Sequence, residues 1–291
     1  MRTRTVRTIA ALFASVMTMV GLVATPASAA APAHTICGLS PGGSGVWRYN
    51  GSGTDWTQVG GPARALYGGR YGLFATSPDG SGIWRYLNSP NNWQRVGGPG
   101  FMWAVTDNSL YGLSPDRSGV YRWNGSGTDW THVGGPASYL YGGGFGLFAT
   151  SPDGAGIWRY LNSPNNWHRV GGPGATWAVT NVALFGLSPD RSGVYKWNGT
   201  GTDWTNVGGP ASWLYGGNFG LFATSPDRNA IWRYLDAPGH WQHIGGPGWS
   251  WAVTDNSIFG LSPDRSGVYK YIGGTNWTRV GGPADQIVPC P

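Results

Sequence analysis

Six aspartates follow a Ser-Pro pair, at Asp79, Asp116, Asp153, Asp190, Asp227 and Asp264, in a chain that has no Glu at all. Cleaving a glycosidic bond ordinarily takes two carboxylates of different pKa facing one bond. An Asp in such a turn instead caps local backbone groups, and no position breaks the pattern as a unique catalytic centre would. No catalytic residue is expected, and a hydrolase or lyase is the least favoured reading. His34, His132, His168, His240 and His243 are scattered without ligand spacing. The Ser-Pro-Asp-Gly-Ser-Gly turn lacks the alternate carboxylates of a calcium loop. Neither a metal nor a cofactor is expected.

Aromatic and hydrogen-bonding groups remain, among them 18 Trp. Sugars present apolar C–H faces and fixed hydroxyls; Trp or Tyr covers the former, and Asp, Asn or Arg binds the latter. Most of these Trp must be structural. A Trp stands four residues before each Gly-Gly-Pro (Trp56, Trp93, Trp130, Trp167, Trp204, Trp241, Trp277), and this fixed register assigns the set to packing between units. A cation also recurs (Arg48, Arg85, Arg122, Arg159, Lys196, Arg233, Lys270), with a hydrogen bond to a neighbouring unit as its expected role. Better ligand candidates vary between units. They are Tyr139, Trp213 and Trp249, beside the turns carrying Asp116-Arg117, Asp190-Arg191 and Asp264-Arg265.

The elements that would position these residues follow from a repeat. Gly-Gly-Pro begins at 60, 97, 134, 171, 208, 245 and 281, five intervals of 37 residues and one of 36. In the unit from Gly60 the punctuation predicts strands at Ala65–Gly68, Tyr71–Thr76, Gly82–Leu87 and Trp93–Val96. A blade of four short antiparallel strands has two uncovered faces, and radial stacking buries both. The expected fold is an all-β, seven-bladed propeller of four-stranded antiparallel blades, with a linear solenoid as the competitor. In register, the tail strand Gln286–Cys290 stops where the segment from Cys37 begins, so one blade would be shared between the two ends of the chain. Cys37 and Cys290 would then be close enough for a disulfide. Units from 60, 134 and 208 carry Leu-Phe-Ala-Thr-Ser-Pro, and those from 97, 171 and 245 carry Gly-Leu-Ser-Pro-Asp-Arg-Ser-Gly, the mark of a duplicated pair of blades.

Arg2, Arg4 and Arg7, the apolar run from Ile9 to Ala24 and the small residues Ala27-Ser28-Ala29 have the layout of a secretory signal peptide. The expected division is residues 1–30 as signal peptide and 31–291 as propeller, secreted and without stable membrane insertion. Without that segment the net charge falls from +6 to +3, and the basic residues are not clustered, so nucleic acid is not an expected partner. The sequons at Asn50, Asn124, Asn198 and Asn276 are read mainly as turn chemistry, since three are Asn-Gly.

The repeat resembles a tectonin repeat, on the run Trp93-Gln-Arg-Val-Gly-Gly-Pro through Val120-Tyr-Arg-Trp123. Tectonin-type proteins are β-propellers that include secreted lectins with sugar sites between blades. The resemblance implies a multivalent glycan-binding lectin, while Gly-Gly-Pro and Ser-Pro-Asp-Arg-Ser-Gly depart from the family pattern. The alternative is a protein-binding propeller: an adhesin, inhibitor or matrix component.

Overall fold

The computed structural model describes residues 34–291; the expected signal peptide lies outside the described residues. Seven four-stranded antiparallel sheets form the ring of a β-propeller. Blade 1 joins Thr35–Leu39, Val46–Tyr49 and Trp56–Gly60 to the tail strand Gln286–Cys290. Blades 2 to 7 follow in chain order, over residues 65–97, 102–134, 140–171, 176–208, 213–245 and 250–281. In each, the first strand lies innermost and the fourth outermost. The predicted strands of blade 2 are all present, at Ala65–Gly69, Gly72–Thr76, Ile83–Tyr86 and Trp93–Gly97.

The core consists of seven apolar clusters, each lying between two adjacent blades. Alternation along the third strand explains how one blade serves two clusters. Tyr86 packs toward blade 1 with Leu66 and Leu73, while Ile83 packs toward blade 3 with Phe74 and Val96. Between third and fourth strands every blade has a bulge: Ile83 pairs with Gly97 and Trp84 with Arg95, leaving Val96 as the extra residue. Val96 is fully buried, so the bulge turns an apolar side chain into the next junction.

That bulge also frees a carbonyl, and the fourth-strand Trp of the next blade uses it. Trp93 Nε1 donates to the Val59 carbonyl at 2.7 Å and Trp130 Nε1 to that of Val96 at 2.7 Å. The same bond recurs at every junction, from Trp56 to Val280 (2.6 Å) around to Trp277 and Ile244 (2.7 Å). These Trp belong between blades, as expected.

The recurring cation differs from expectation in blades 2, 4 and 6. Arg85, Arg159 and Arg233 donate to the carbonyls of Tyr71, Phe145 and Phe219, which lie in the first turn of their own blade. The third strand is only two strands from that turn, so the guanidinium reaches it before any acceptor next door. The neighbouring blade is met by ring faces instead: Arg85 lies 5.3 Å from the ring centre of Trp123 and Arg159 5.4 Å from that of Trp197.

The shared blade forms as expected. Thr35–Leu39 pairs along its whole length with Gln286–Cys290, and the Cys37–Cys290 disulfide closes it with Cα atoms 5.4 Å apart. The tail strand is also tied to blade 2, because the Gln286 side chain exchanges two 2.8 Å bonds with the backbone of Leu66.

Around the axis, small and large residues alternate. First strands of blades 2, 4 and 6 end in Gly-Gly (Gly68-Gly69, Gly142-Gly143, Gly216-Gly217), and those of blades 3, 5 and 7 in Val105, Val179 and Val253. A Cβ on Gly142 or Gly216 would collide with the carbonyl of Val105 or Val179, so only glycine allows the inner strands to approach this closely.

Candidate functional site

The outer strands splay apart, and the gaps they leave are cavities. Such a cavity, of about 270 to 310 Å³, lies at the junctions of blades 7 and 1, 1 and 2, 3 and 4, 5 and 6, and 6 and 7. At the junction of blades 1 and 2 the walls are Gly61-Pro62 of the connecting segment, Ser77-Pro78 of the turn, Trp84 and Trp93. Equivalent aromatic pairs are Trp47 with Trp56, Trp158 with Trp167, Trp232 with Trp241, and Tyr269 with Trp277. Trp84 faces the gap because it shares the Tyr86 side of the strand, where the blades diverge too far to cover it; it stays 37% exposed.

No charged side chain lines any of the five cavities. The fourth-strand indole N–H is already committed to a carbonyl. By contrast, the indole N–H groups of Trp47, Trp84, Trp158 and Trp232 have no hydrogen-bond partner among the described residues. In the cavity between blades 5 and 6 the buried Thr224 hydroxyl is likewise unpartnered. Each site thus offers two aromatic faces and a Ser or Thr hydroxyl, with a free indole N–H in four of them and the Tyr269 phenol in the fifth: neutral groups for a small neutral ligand with apolar faces. The volumes lie at or just below the lower bound, about 300 Å³, of the range for small-molecule sites.

The residues singled out from sequence lie elsewhere. Asp116 Oδ1 accepts from the Ser114 hydroxyl at 2.7 Å and from the Ser118 amide at 3.0 Å. The Ser118 amide, with the Ser114 and Ser118 hydroxyls, pulls the Asp116 pKa down to about 2. The Ser266 amide and neighbouring hydroxyls do the same for Asp264. For Asp79 and Asp190 the hydroxyls of Ser77 and Ser188 lead. These carboxylates cap their own turns, as the spacing implied.

Arg117 lies with its guanidinium 3.7 Å from the ring centre of Phe101 and 5.9 Å from that of Tyr139. Arg265 lies 5.0 Å from Trp249 and ion-pairs with Asp285 at 3.1 Å. Arg191 and Trp213 are not brought into ring contact. All nine candidates surround the start of the first strands, and none lines one of the five cavities. Tyr139, Trp213 and Trp249 are exposed there, Trp249 by 58%.

Two groups escaped the sequence reading. The third-strand Trp were visible only as alternating aromatics, since nothing in the alternation shows that outer strands diverge. Phe101 follows Gly98-Pro99-Gly100 in the sequence, but its place under Arg117 depends on the left-handed turn that carries the arginine. Among the described residues no group of three metal-ligating side chains converges, and no helix is long and apolar enough to cross a membrane.

No family model matches the sequence, and neither does any curated protein. Solved structures do match. Prp20p from Saccharomyces cerevisiae, described with its binding to Gsp1p and histones, is 11% identical with a TM-score of 0.61, over 85% of each chain. Virginiamycin B lyase from Staphylococcus aureus is 12% identical with a TM-score of 0.53, over 72% of this chain and 80% of that one. A xyloglucanase from Xanthomonas campestris is 12% identical with a TM-score of 0.51, over 85% of this chain and 43% of that one. Likenesses this remote reflect a common fold: the chain is a seven-bladed β-propeller.

Proposed function

We propose that the protein is a secreted, non-enzymatic, multivalent carbohydrate-binding protein, a lectin of the tectonin-repeat type, which seats neutral saccharide units between its blades. The observation that carries this reading is the repetition of one uncharged, doubly aromatic cavity at five junctions. An indole face covers the C–H face of a pyranose, and the free N–H and hydroxyls meet its oxygens. Weak single sites reinforce one another, because occupancy of one raises the effective concentration at the next. A lone catalytic centre would gain nothing from five copies.

The test is a glycan array followed by calorimetric titration of the neutral sugars it selects. Replacing Trp84, Trp158 and Trp232 together by Ala should remove three sites from the stoichiometry while leaving the melting temperature within a few degrees. An array without any bound glycan would defeat the proposal. A protein-binding role is the second reading, favoured by the exposed Tyr139, Trp213 and Trp249, residue types that dominate protein interfaces.

A further inference from the structure

The turns of blades 3, 5 and 7 hold Arg117, Arg191 and Arg265 in left-handed backbone, with φ of 60° or 61°. Blade 6 has Arg228 at that position, also with φ of 61°, bonded to the Ser212 hydroxyl of its own blade, and blades 2 and 4 have Gly80 and Gly154, with φ of 71°. A residue with a Cβ occupies this region only against steric crowding of its Cβ by the backbone. The arginines are therefore held against their backbone preference, a feature that concentrates at functional positions.

The three turns are anchored alike. The amides of Ala137, Ala211 and Ala284 donate to the carbonyls of Arg117, Arg191 and Arg265 at 3.2, 3.2 and 3.1 Å. The next residue, Ser138, Ser212 or Asp285, is consequently delivered to the same place beside each arginine. At the junction of blades 7 and 1, Trp249 lies under the guanidinium and the Asp285 carboxylate accepts from its Nη1. The junction of blades 3 and 4 has the same platform in Phe101 and a second ring in Tyr139, but Ser138 replaces the carboxylate. The Arg117 guanidinium has no hydrogen bond or ion pair to any described residue, and Asp116 is turned into its own turn.

We propose that Arg117, held against Phe101 and beside Tyr139, binds the carboxylate of an acidic sugar, a uronate, in the place that Asp285 fills at the junction of blades 7 and 1. A guanidinium whose plane is fixed meets a carboxylate through two parallel N–H groups. The two exposed rings cover the sugar's C–H face. The fifth blade lacks the platform, because Ala175 stands where Phe101 does and the Ser212 hydroxyl already accepts from Arg228. One such site per chain follows. It is separate from the interblade cavities but rests on the saccharide reading for its choice of ligand.

The experiment is titration at low salt with glucuronate and galacturonate against glucose, galactose and a C-terminal peptide carboxylate. Arg117→Gly installs the residue that blades 2 and 4 use, so the turn should fold; uronate affinity should fall at least tenfold, with neutral sugars unaffected. Ser138→Asp should block the site equally, by supplying the internal carboxylate. Asp285→Ser should open a second site at Arg265 and raise uronate stoichiometry from one to two. If it unfolds the shared blade, the two variants on continuous blades decide. Equal binding of uronate and parent sugar, or full uronate affinity in Arg117→Gly, overturns the site and leaves the cavities standing. Uronate binding lost in Arg117→Gly, with no neutral sugar bound anywhere, supports the site and removes the cavities. A peptide carboxylate that binds Arg117 as well as uronate does overturns the sugar assignment.

Discussion

Blade 1 and the six continuous blades solve one problem by different means. In blade 2 the first strand is held to the second by a turn of two residues, Arg70 and Tyr71, and the peptide chain itself guarantees their pairing. In blade 1 those two strands are 253 residues apart at their cysteines. The pairing is nonetheless five residues long, as in blade 2, and side chains sew it at several points. Arg48 donates to the Pro291 carbonyl, Asp285 accepts from the Gly42 amide, and Gln286 grips Leu66. What a short turn provides by connectivity, the shared blade must provide by specific bonds. Its weak point is therefore entropy, and that of the other blades is packing.

The sharpest way to break this comparison is to remove the disulfide. On the chain-entropy model a loop of this length contributes about 5 kcal/mol, less whatever the reduced chain retains of structure. The double variant Cys37→Ser, Cys290→Ser should lose about 2 to 5 kcal/mol in urea titration, with blade 1 exchanging its amides first. A loss spread evenly over all blades would mean that blade 1 has no special weakness. Next in size is Trp93→Ala, which deletes a ring from the blade 1–2 junction and one of the two hydrogen bonds that the Val59 carbonyl accepts, leaving that from the Asn91 amide. A loss of about 3 kcal/mol is expected, with a similar loss from Trp56→Ala if the shared blade packs as well as the rest. A much larger effect at Trp56 would show that its junction relies more heavily on the indole.

Acid is the mildest probe. Asp79, Asp116, Asp190 and Asp264 have pKa values lowered from 3.8 to about 2 by the amides and hydroxyls they accept from. A depressed folded pKa contributes stability that is whole above pH 4 and lost as the pH falls through 2. Blade 1 has Gly42 in place of that Asp. Between pH 4 and 2 the amides of Ser81 and Ser118 should gain exchange while that of Ser44 does not. Uniform behaviour would remove the distinction.

Much of the fold was legible because it is written in period and punctuation. Gly-Gly-Pro, the Ser-Pro-Asp turns and the complementary ends predicted seven blades, the shared blade and the Cys37–Cys290 bridge. The sites were harder. Trp93 was legible as an interblade residue, but its partner is a carbonyl released by a bulge at Val96-type positions, and a bulge leaves no mark in composition. Trp84 and Tyr86 alternate identically in sequence, yet one is covered and the other is not, because blades diverge with distance from the axis. Arg85 failed in the opposite direction: the acceptor within reach was local. Contacts fixed by register were readable, and those fixed by the curvature of the ring were not.

The alternation of glycine and valine at the axis has a consequence of parity. A strictly two-coloured ring closes without conflict only when its members are even in number, and seven is odd. Somewhere two like neighbours must meet or a member of neither kind must intervene: the strand carrying Val288 and Pro289 adjoins blade 7, whose first strand ends in Val253, and on its other side meets Gly68. Three copies of a two-blade module cannot by themselves complete this circle. They need one member of neither colour, and the blade sewn from two distant stretches of chain is that member.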